Sequence, residues 1–470
     1  LKSKMGVPPT DDGPKYNWAS AAGTGEPLSS TLRGILNTKK VFLDKADADS
    51  GLVGLITEAT PYYAEAGGQV ADVGTITTAS GGSFKVTDVK KVGPYVVHVG
   101  TVSSGALSLS DAVTLTVDFA RRAPIAKNHT TTHMLNFALI GALGQKCEQR
   151  GALYDDEKLR FDFAYGKPLT PEQLQDTQDR VNKQIKAGLP IQVQESPLEA
   201  AKAVNGLRAV FGEQYPDPVR VVAVGGPGIQ AMMDDPEKAE WAEMAIEFCG
   251  GTHIATSSEA GEFALLSEEG LGRGVRRILG VTHEKAKTAF AEAKTLYDRC
   301  TAAEKLTGAA LEKEAAELVQ IIEKAVLPAA DAAKIRGMIT ALKKKLLEAD
   351  KGAAKAAAEA AKVEAEALAT ASAEDVKCII ALLTAEADAK ALEGAMGAVT
   401  AKRPKAAVLL IGAGKTAAAL AVVPKELEGT LNAKDWVNEA LQACGGKGGG
   451  KPGRAQGAAR DPSNAKEAEA

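Results

Sequence analysis

Two short runs constrain this chain more than any other feature: NHTTTH at residues 128–133 and CGGTH at residues 249–253. His129 and His133 are four apart in a segment rich in helix formers, so a helix puts both imidazoles on one face, a turn apart. Cys249 and His253 are also four apart, but the two glycines between them favour a tight turn over a helix. One thiolate and three imidazoles make a donor set that suits zinc. A fold that uses them together must bring a helix and a glycine turn from distant parts of the sequence onto one ion. The HxxxH run alone fits histidines that merely pack or lie exposed, whereas CGGTH alone already favours a metal or phosphate turn. The two together, in a chain with five histidines, point to a metal site. A zinc peptidase of the HExxH kind does not fit, because position 130 is Thr and the general-base carboxylate is absent.

At 470 residues the chain has room for about three domains, each able to bury its own core. Aromatic residues are 4% of the total, so those cores rest on Ala, Val, Leu and Ile. The formal charge is −4, so a nucleic acid would have to be held by local basic patches and not by the overall field. The five cysteines, Cys147, Cys249, Cys300, Cys378 and Cys444, are odd in number and scattered, which favours free thiols in a reducing compartment. No apolar run approaches the roughly 20 residues of a membrane helix, so no membrane partner is expected.

The organisation reads as multidomain α+β. Residues 1–30 form an irregular lead-in rich in Pro, Gly, Asp and Ser. Residues 31–122 hold short β-type runs broken by glycine, such as SFKV at 83–86 and YVVHV at 95–99, and predict a small β-barrel. Residues 123–285 mix helix and strand patterns: a helix over 125–146 beginning after Pro124, a strand over 157–165, a helix over 171–187, and strands over 189–194 and 219–224. They predict an α/β domain carrying the zinc set. Residues 286–372 are almost all helix formers, interrupted at positions such as Gly308, Pro328 and Gly337, and predict a helical, coiled-coil arm. Residues 373–470 predict a small α/β domain with a helix over 434–442 and a flexible tail from Gly445. His98 in a strand and His283 at a helix start are read as structural, and the remaining thiols as ordinary.

Further runs accompany the metal motifs: PYYAEAGGQVADVG at 61–74, NHTTTHML, RFDF at 160–163, FGEQYPDPVRVV at 211–222, EFCGGTHI at 247–254, EGLGRGVRRILGVTH at 269–283, KDWVNEAL and GGKGGGKPGRAQG. Together they resemble the editing and C-terminal parts of the alanyl-tRNA synthetase family, across roughly 11–457, although that family usually has Gly where His283 stands. The resemblance implies hydrolysis of the ester joining serine or glycine to the tRNA for alanine. The need for such a step has a physical basis: a pocket shaped for alanine discriminates only about 10²-fold against an added hydroxyl, a limit known from synthetases, so a second site must reject the wrong ester.

The resemblance assigns serine recognition to Thr132 and a pocket position to Gln149. The EAGGQ loop would place Gln69, a donor and an acceptor, against the same site. Three roles for the metal stay open: polarising the ester or activating water, positioning the amino group or terminal adenosine, or structural support, since a zinc with four protein ligands is usually structural. Expected tRNA contacts are Arg273, Arg276 and Arg277, together with Lys447, Lys451 and Arg454 in the glycine-rich tail; Lys343, Lys344 and Lys345 are a solvated alternative. The family's C-terminal domain also implies a homodimer contact.

Motifs for an ATP-using aminoacylation core are absent, and PPTDDGPKYNW at 8–18 resembles the linker that follows it. With Leu1 as first residue, the chain is expected to be the C-terminal half of a longer enzyme whose aminoacylation half, with its ATP, is a partner. The expected location is cytoplasmic, with an organellar one left open. The alternatives are a stand-alone trans-editing protein and a non-catalytic tRNA-binding module with a structural zinc.

Overall fold

The computed structural model describes residues 8–210, 213–414 and 416–467; Leu1, and Phe211 and Gly212 of the FGEQYPDPVRVV run, lie outside them. The chain divides into two compact units, Leu1–Thr301 with Leu318–Met338, and Ala302–Glu317 with Ile339–Ala470.

The first unit begins with a closed six-stranded barrel. Its strands are β1 (Leu28–Asn37), β3 (Leu52–Thr57), β4 (Gly74–Thr78), β5 (Ser83–Val92), β6 (Tyr95–Ser104) and β8 (Ala112–Val117), joined in the order β1-β3-β6-β5-β4-β8. A two-stranded ribbon, β2 (Lys45–Asp47) with β7 (Ala106–Ser108), lies outside that ring. Alternation explains the barrel: in β8 the side chains of Val113, Leu115 and Val117 are buried while their neighbours are not. These three pack with Leu32, Leu55, Ile76 and Phe84 from the other strands.

The chain leaves the barrel through the helix Phe119–Leu143, which starts earlier than the sequence pattern predicts. Asp118 caps it by accepting from Arg121 N at 3.1 Å, and Pro124 falls inside the helix instead of before it. At the sixth helical position the proline removes one intrahelical bond, a loss that the buried face of the long helix beyond it offsets. Two four-stranded sheets follow. One has the order β15-β16-β10-β9, from β9 (Gln149–Tyr154), β10 (Leu159–Ala164), β15 (Phe263–Gly272) and β16 (Val275–Thr282). The other has the order β11-β13-β14-β12, from β11 (Ile191–Ser196), β12 (Leu207–Arg208), β13 (Val219–Val224) and β14 (Ala245–Phe248). The Phe119–Leu143 helix buries Ile125, Met134, Leu135 and Leu139 against Phe161, Phe163, Leu265 and Ile278. The Pro171–Lys186 helix adds Val181 and Ile185, and begins with a capping box between Thr170 and Gln173.

The helix-forming stretch becomes three helices, His283–Ala303, Gly308–Ile322 and Ala329–Ala371. Gly308 takes a φ of 56° at the start of the second, and Pro328 stands just before the third. Gly337, read from sequence as an interruption, lies inside the third helix. None of the described helices is long and apolar enough to cross a membrane.

The second unit carries a five-stranded sheet of order β17-β18-β19-β21-β20, from β17 (Cys378–Leu383), β18 (Ala407–Ala413), β19 (Ala417–Val422), β20 (Lys447–Lys451) and β21 (Arg454–Ala459). Side chains alternate across it. Val408 and Leu410 pack with Leu392 and Met396 of the helix Ala389–Lys402, while Leu409 and Ile411 pack with Val437 and Leu441 of the helix Ala433–Gln442. The tail from Gly445, expected to be flexible, forms the β20–β21 hairpin at the edge of this sheet. Its glycines suit the place. A Cβ on Gly448 would meet Val437 Cγ1 at 2.4 Å, and one on Gly457 would meet Leu441 Cδ1 at 2.6 Å, so the helix rests directly on the ribbon.

One buried ion pair ties the lead-in to the barrel and the helix. Arg122, fully buried, pairs with Asp72, and donates to Lys15 O at 3.1 Å and Pro61 O at 2.5 Å. Removing one partner of a buried pair strands the other. Arg122→Ala is therefore expected to destabilise the chain by about 3–5 kcal/mol in urea unfolding; a loss under about 1 kcal/mol would show that the pair contributes little.

Candidate metal centre

The helix and the glycine turn do meet. Ligand-type atoms of His129, His133, Cys249 and His253 all lie within 4.8 Å of one another. Cys249 Sγ is 3.2 Å from His129 Nε2 and 3.3 Å from His253 Nε2. Three of the four residues are buried and Cys249 is half-buried.

What fixes the imidazoles is the partner on each opposite nitrogen. Gln69 Oε1 accepts from the backbone N–H of Thr252 at 3.0 Å, which identifies it as the amide oxygen, so His129 Nδ1, 2.8 Å away, must donate to it. Glu247 Oε2 accepts from His133 Nδ1 at 2.5 Å. Thr130 gives its hydroxyl proton to Ala126 O at 2.8 Å, so its oxygen is free to accept from His253 Nδ1 at 3.1 Å. With every Nδ1 engaged as a donor, each Nε2 is left to face the common centre. His133 Nε2 is buried without a partner among the described residues. Carboxylate, amide and hydroxyl groups behind metal-binding histidines are the usual means of fixing the ring and raising its basicity. The donor set and its support therefore fit a tetrahedral divalent ion of the zinc type.

Backbone geometry makes the approach possible. A Cβ on Gly251 would meet His129 Cε1 at 2.1 Å, so only glycine lets the turn come this close. Arg220 Nη1 donates to Cys249 O at 2.7 Å and Gly251 O at 2.9 Å, and Tyr16 donates from its hydroxyl to Gly250 O at 2.8 Å. Tyr154 stacks on His129, with ring centroids 4.1 Å apart.

Charge is balanced inside the cluster. Burial opposes ionisation of Cys249, but the imidazoles of His129, His253 and His133 hold its thiol well below the ordinary value. Burial also opposes charge on His133, yet the carboxylate of Glu247 and the thiol of Cys249 raise it to about 10. Burial drives His253 down to about 3.

His129, His133 and Cys249 form part of the wall of a cleft of about 1060 Å³, with Tyr63, Gly68, Asn136 and Gln149 also on it. The other expected site residues fall differently. Thr132 is buried, its hydroxyl donates to Asn128 O at 3.0 Å, and it is not on the cleft wall. Gln69 is fully buried behind His129, so its place is that of a positioning residue. Arg273 is exposed at the turn between β15 and β16 with a φ of 52°. Arg276 is ion-paired with Glu268, and Arg277 with Asp162 through bonds of 2.7 and 2.8 Å, so both charges are matched within the sheet. Lys447 and Lys451 are exposed on β20, and Arg454 reaches Glu393 at 3.3 Å. Lys343 and Lys344 are exposed, whereas Lys345 donates to Glu304 O and Leu306 O. His98 is buried in the barrel between Thr60 Oγ1 and Leu55 O, with burial pushing it down to about 4.

Sequence reading missed Glu247, Asn136, Arg208 and Tyr154. Glu247 was the findable one: it is the one acid in the buried strand AIEF and stands two residues before Cys249, hence on the same face of an extended chain.

Three family models match this chain: tRNA synthetases class II (A) over residues 7–121, the threonyl and alanyl tRNA synthetase second additional domain over 219–278, and the DHHA1 domain over 375–470. Among curated proteins, the cytoplasmic alanine–tRNA ligase of Dictyostelium discoideum is 37% identical over 96% of this chain and 48% of its own length. The alanine–tRNA ligase of Schizosaccharomyces pombe is 34% identical over 98% of this chain and 47% of its own length. The mitochondrial alanine–tRNA ligase of Saccharomyces cerevisiae is 41% identical over 64% of this chain and 30% of its own length. The chain spans about half the length of the first two.

The carboxylate behind His133 provides a test of the centre. Glu247→Gln is expected to weaken zinc binding by about 10–100-fold, read by competition with a chromogenic chelator. Unchanged affinity would mean that Glu247 does not support a metal ligand.

Proposed function

This chain fits the C-terminal half of alanyl-tRNA synthetase, and from that premise we propose that it binds zinc and hydrolyses tRNA for alanine wrongly charged with serine or glycine. The observation that carries the reading is the convergence of His129, His133, Cys249 and His253, each ring braced from behind, at the wall of a cleft large enough for an aminoacyl-adenosine end. A zinc ion held there would supply positive charge that polarises the ester carbonyl, or would take up the lone pair of the deprotonated amino group. The chain's own groups do the rest. Gln149, on the cleft wall, offers a donor and an acceptor to the ester or ribose. Gln69, Thr130 and Glu247 keep the imidazoles aimed, and Tyr154 holds the ring of His129. Lys146, also on the cleft wall, and Arg273 offer positive charge to the acceptor stem, whereas Lys15 and Lys91 on the same wall share the carboxylate of Asp12. In the second unit, Lys447 and Lys451 on the edge strand are proposed contacts to the outer part of the tRNA, and the same unit to a homodimer contact. The aminoacylation half would be the partner that delivers mischarged tRNA. The free thiols suit a cytoplasmic location.

One observation favours a second reading. Four protein side chains complete a zinc shell, as in structural sites, so a tRNA-binding module without hydrolysis would have the same cluster. Deacylation of seryl-tRNA for alanine separates the two. The wild-type chain is expected to release serine, and His133→Ala to lose zinc together with about 10²-fold or more in rate. Intact ester in the presence of bound tRNA would establish the module instead.

A further inference from the structure

The turn that carries Cys249 and His253 contains two adjacent glycines, Gly250 and Gly251, whose backbone is free to rotate its peptide planes. Three successive carbonyls of this turn are nevertheless engaged. Arg220 Nη1, on β13, donates to Cys249 O at 2.7 Å and to Gly251 O at 2.9 Å. Between them, the Tyr16 hydroxyl from the lead-in donates to Gly250 O at 2.8 Å. The two residues are themselves joined, with the Arg220 guanidinium over the Tyr16 ring, 4.1 Å from its centroid.

What these bonds fix lies on the other side of each peptide. In a trans peptide the N–H points away from the C=O that precedes it. With Gly250 O on Tyr16, the N–H of Gly251 donates to Cys249 Sγ at 3.4 Å. With Gly251 O on Arg220, the N–H of Thr252 donates to Gln69 Oε1 at 3.0 Å. That oxygen is the one that accepts from His129 Nδ1. Rotating the Gly250–Gly251 peptide by half a turn would aim a carbonyl oxygen at the thiolate. Rotating the next one would aim a carbonyl oxygen at the amide oxygen of Gln69. Each replaces an attractive contact by a repulsive one, and glycine itself opposes neither.

Tyr16 is set in place by its neighbours. Lys15 O accepts from Arg122 at 3.1 Å, and Trp18 stacks on Phe119 with ring centroids 6.1 Å apart. Tyr16 and Arg220 line the cleft, and they also line a second hollow of about 430 Å³ that His253 borders. Without the pair, water in either cavity would compete for the carbonyls. We propose that Tyr16 and Arg220 are positioning residues for the metal centre. They lock the peptide planes of the turn so that one N–H supports the Cys249 thiolate and another supports Gln69 behind His129. The inference rests on the metal-binding reading above, and it makes the lead-in a working part of the site.

The test uses the whole chain, loaded with cobalt(II) or with zinc. The thiolate-to-cobalt charge-transfer band reports on Cys249, and zinc release to a chelator reports on how firmly the set is held. Tyr16→Phe keeps the ring under Arg220 and removes only the hydroxyl. It is expected to move the band to lower energy, because a thiolate that loses a hydrogen-bond donor holds its electrons less tightly. It is also expected to speed zinc release by about tenfold or more. Arg220→Lys keeps the charge without the planar fork and is expected to shift both readings the same way; it serves if the first variant does not fold. An unmoved band with a release rate within about twofold of wild type would overturn the inference and leave the metal centre standing. Faster release with an unmoved band would show a general loosening of the fold, and would overturn it as well. A wild-type chain that takes up neither metal would overturn the metal-binding reading, and this inference with it.

Discussion

The structure depends on the placement of three imidazole protons. An imidazole has two nitrogens, and only one can offer a lone pair to an ion. Here each Nδ1–H is committed to a different acceptor, the amide of Gln69, the carboxylate of Glu247 and the hydroxyl of Thr130. The Nε2 atoms are then left to converge with Cys249. Without those commitments the four residues would be a buried polar cluster, costly to desolvate and free to choose the wrong tautomer.

The acceptors also explain how the parts of the first unit are joined. Gln69 belongs to the loop following barrel strand β3, and its amide bridges His129 to Thr252 in the glycine turn. Gly68 lies so close to Ala152 of β9 that a Cβ would sit 2.7 Å from its carbonyl oxygen, at a φ of 87°. Ser20 Oγ in the lead-in accepts from Ala255 N at 2.9 Å, just past the turn. Barrel, helix, sheet and lead-in thus all end on one small region. The same carboxylate that orients His133 also leaves a donor and an acceptor unspent on the cleft wall. Glu247 thus joins His133 to Asn136 and Arg208 on that wall.

Much of this was legible in the sequence, for identifiable reasons. The metal quartet was visible because His129 and His133 obey helical spacing and Cys249 and His253 frame two glycines. The barrel was visible because its short β runs alternate and are broken by turn residues, as in Ala112–Val117. Other features were hidden by local rules that packing overrides. Pro124 reads as a helix boundary, but the Asp118 cap starts the helix ahead of it. The stretch from Lys447 to Ala459 reads as a loose tail. It becomes a hairpin because Val437 and Leu441 press on Gly448 and Gly457. Arg276 and Arg277 look like free cations in sequence, but Glu268 and Asp162 meet them across the sheet. Asn136 and Arg208 carry no motif at all. Their link to the site is the shared bond to Glu247, and that is a property of the folded chain.

The central claim is that two distant pairs of side chains hold one ion, with all three rings bound through Nε2. X-ray absorption at the zinc edge on the zinc-loaded chain tests it most directly. The account predicts one sulfur at about 2.3 Å and three imidazole nitrogens at about 2.0–2.1 Å. A shell of five or six oxygen and nitrogen atoms without sulfur, or a chain that takes up no zinc, would contradict it.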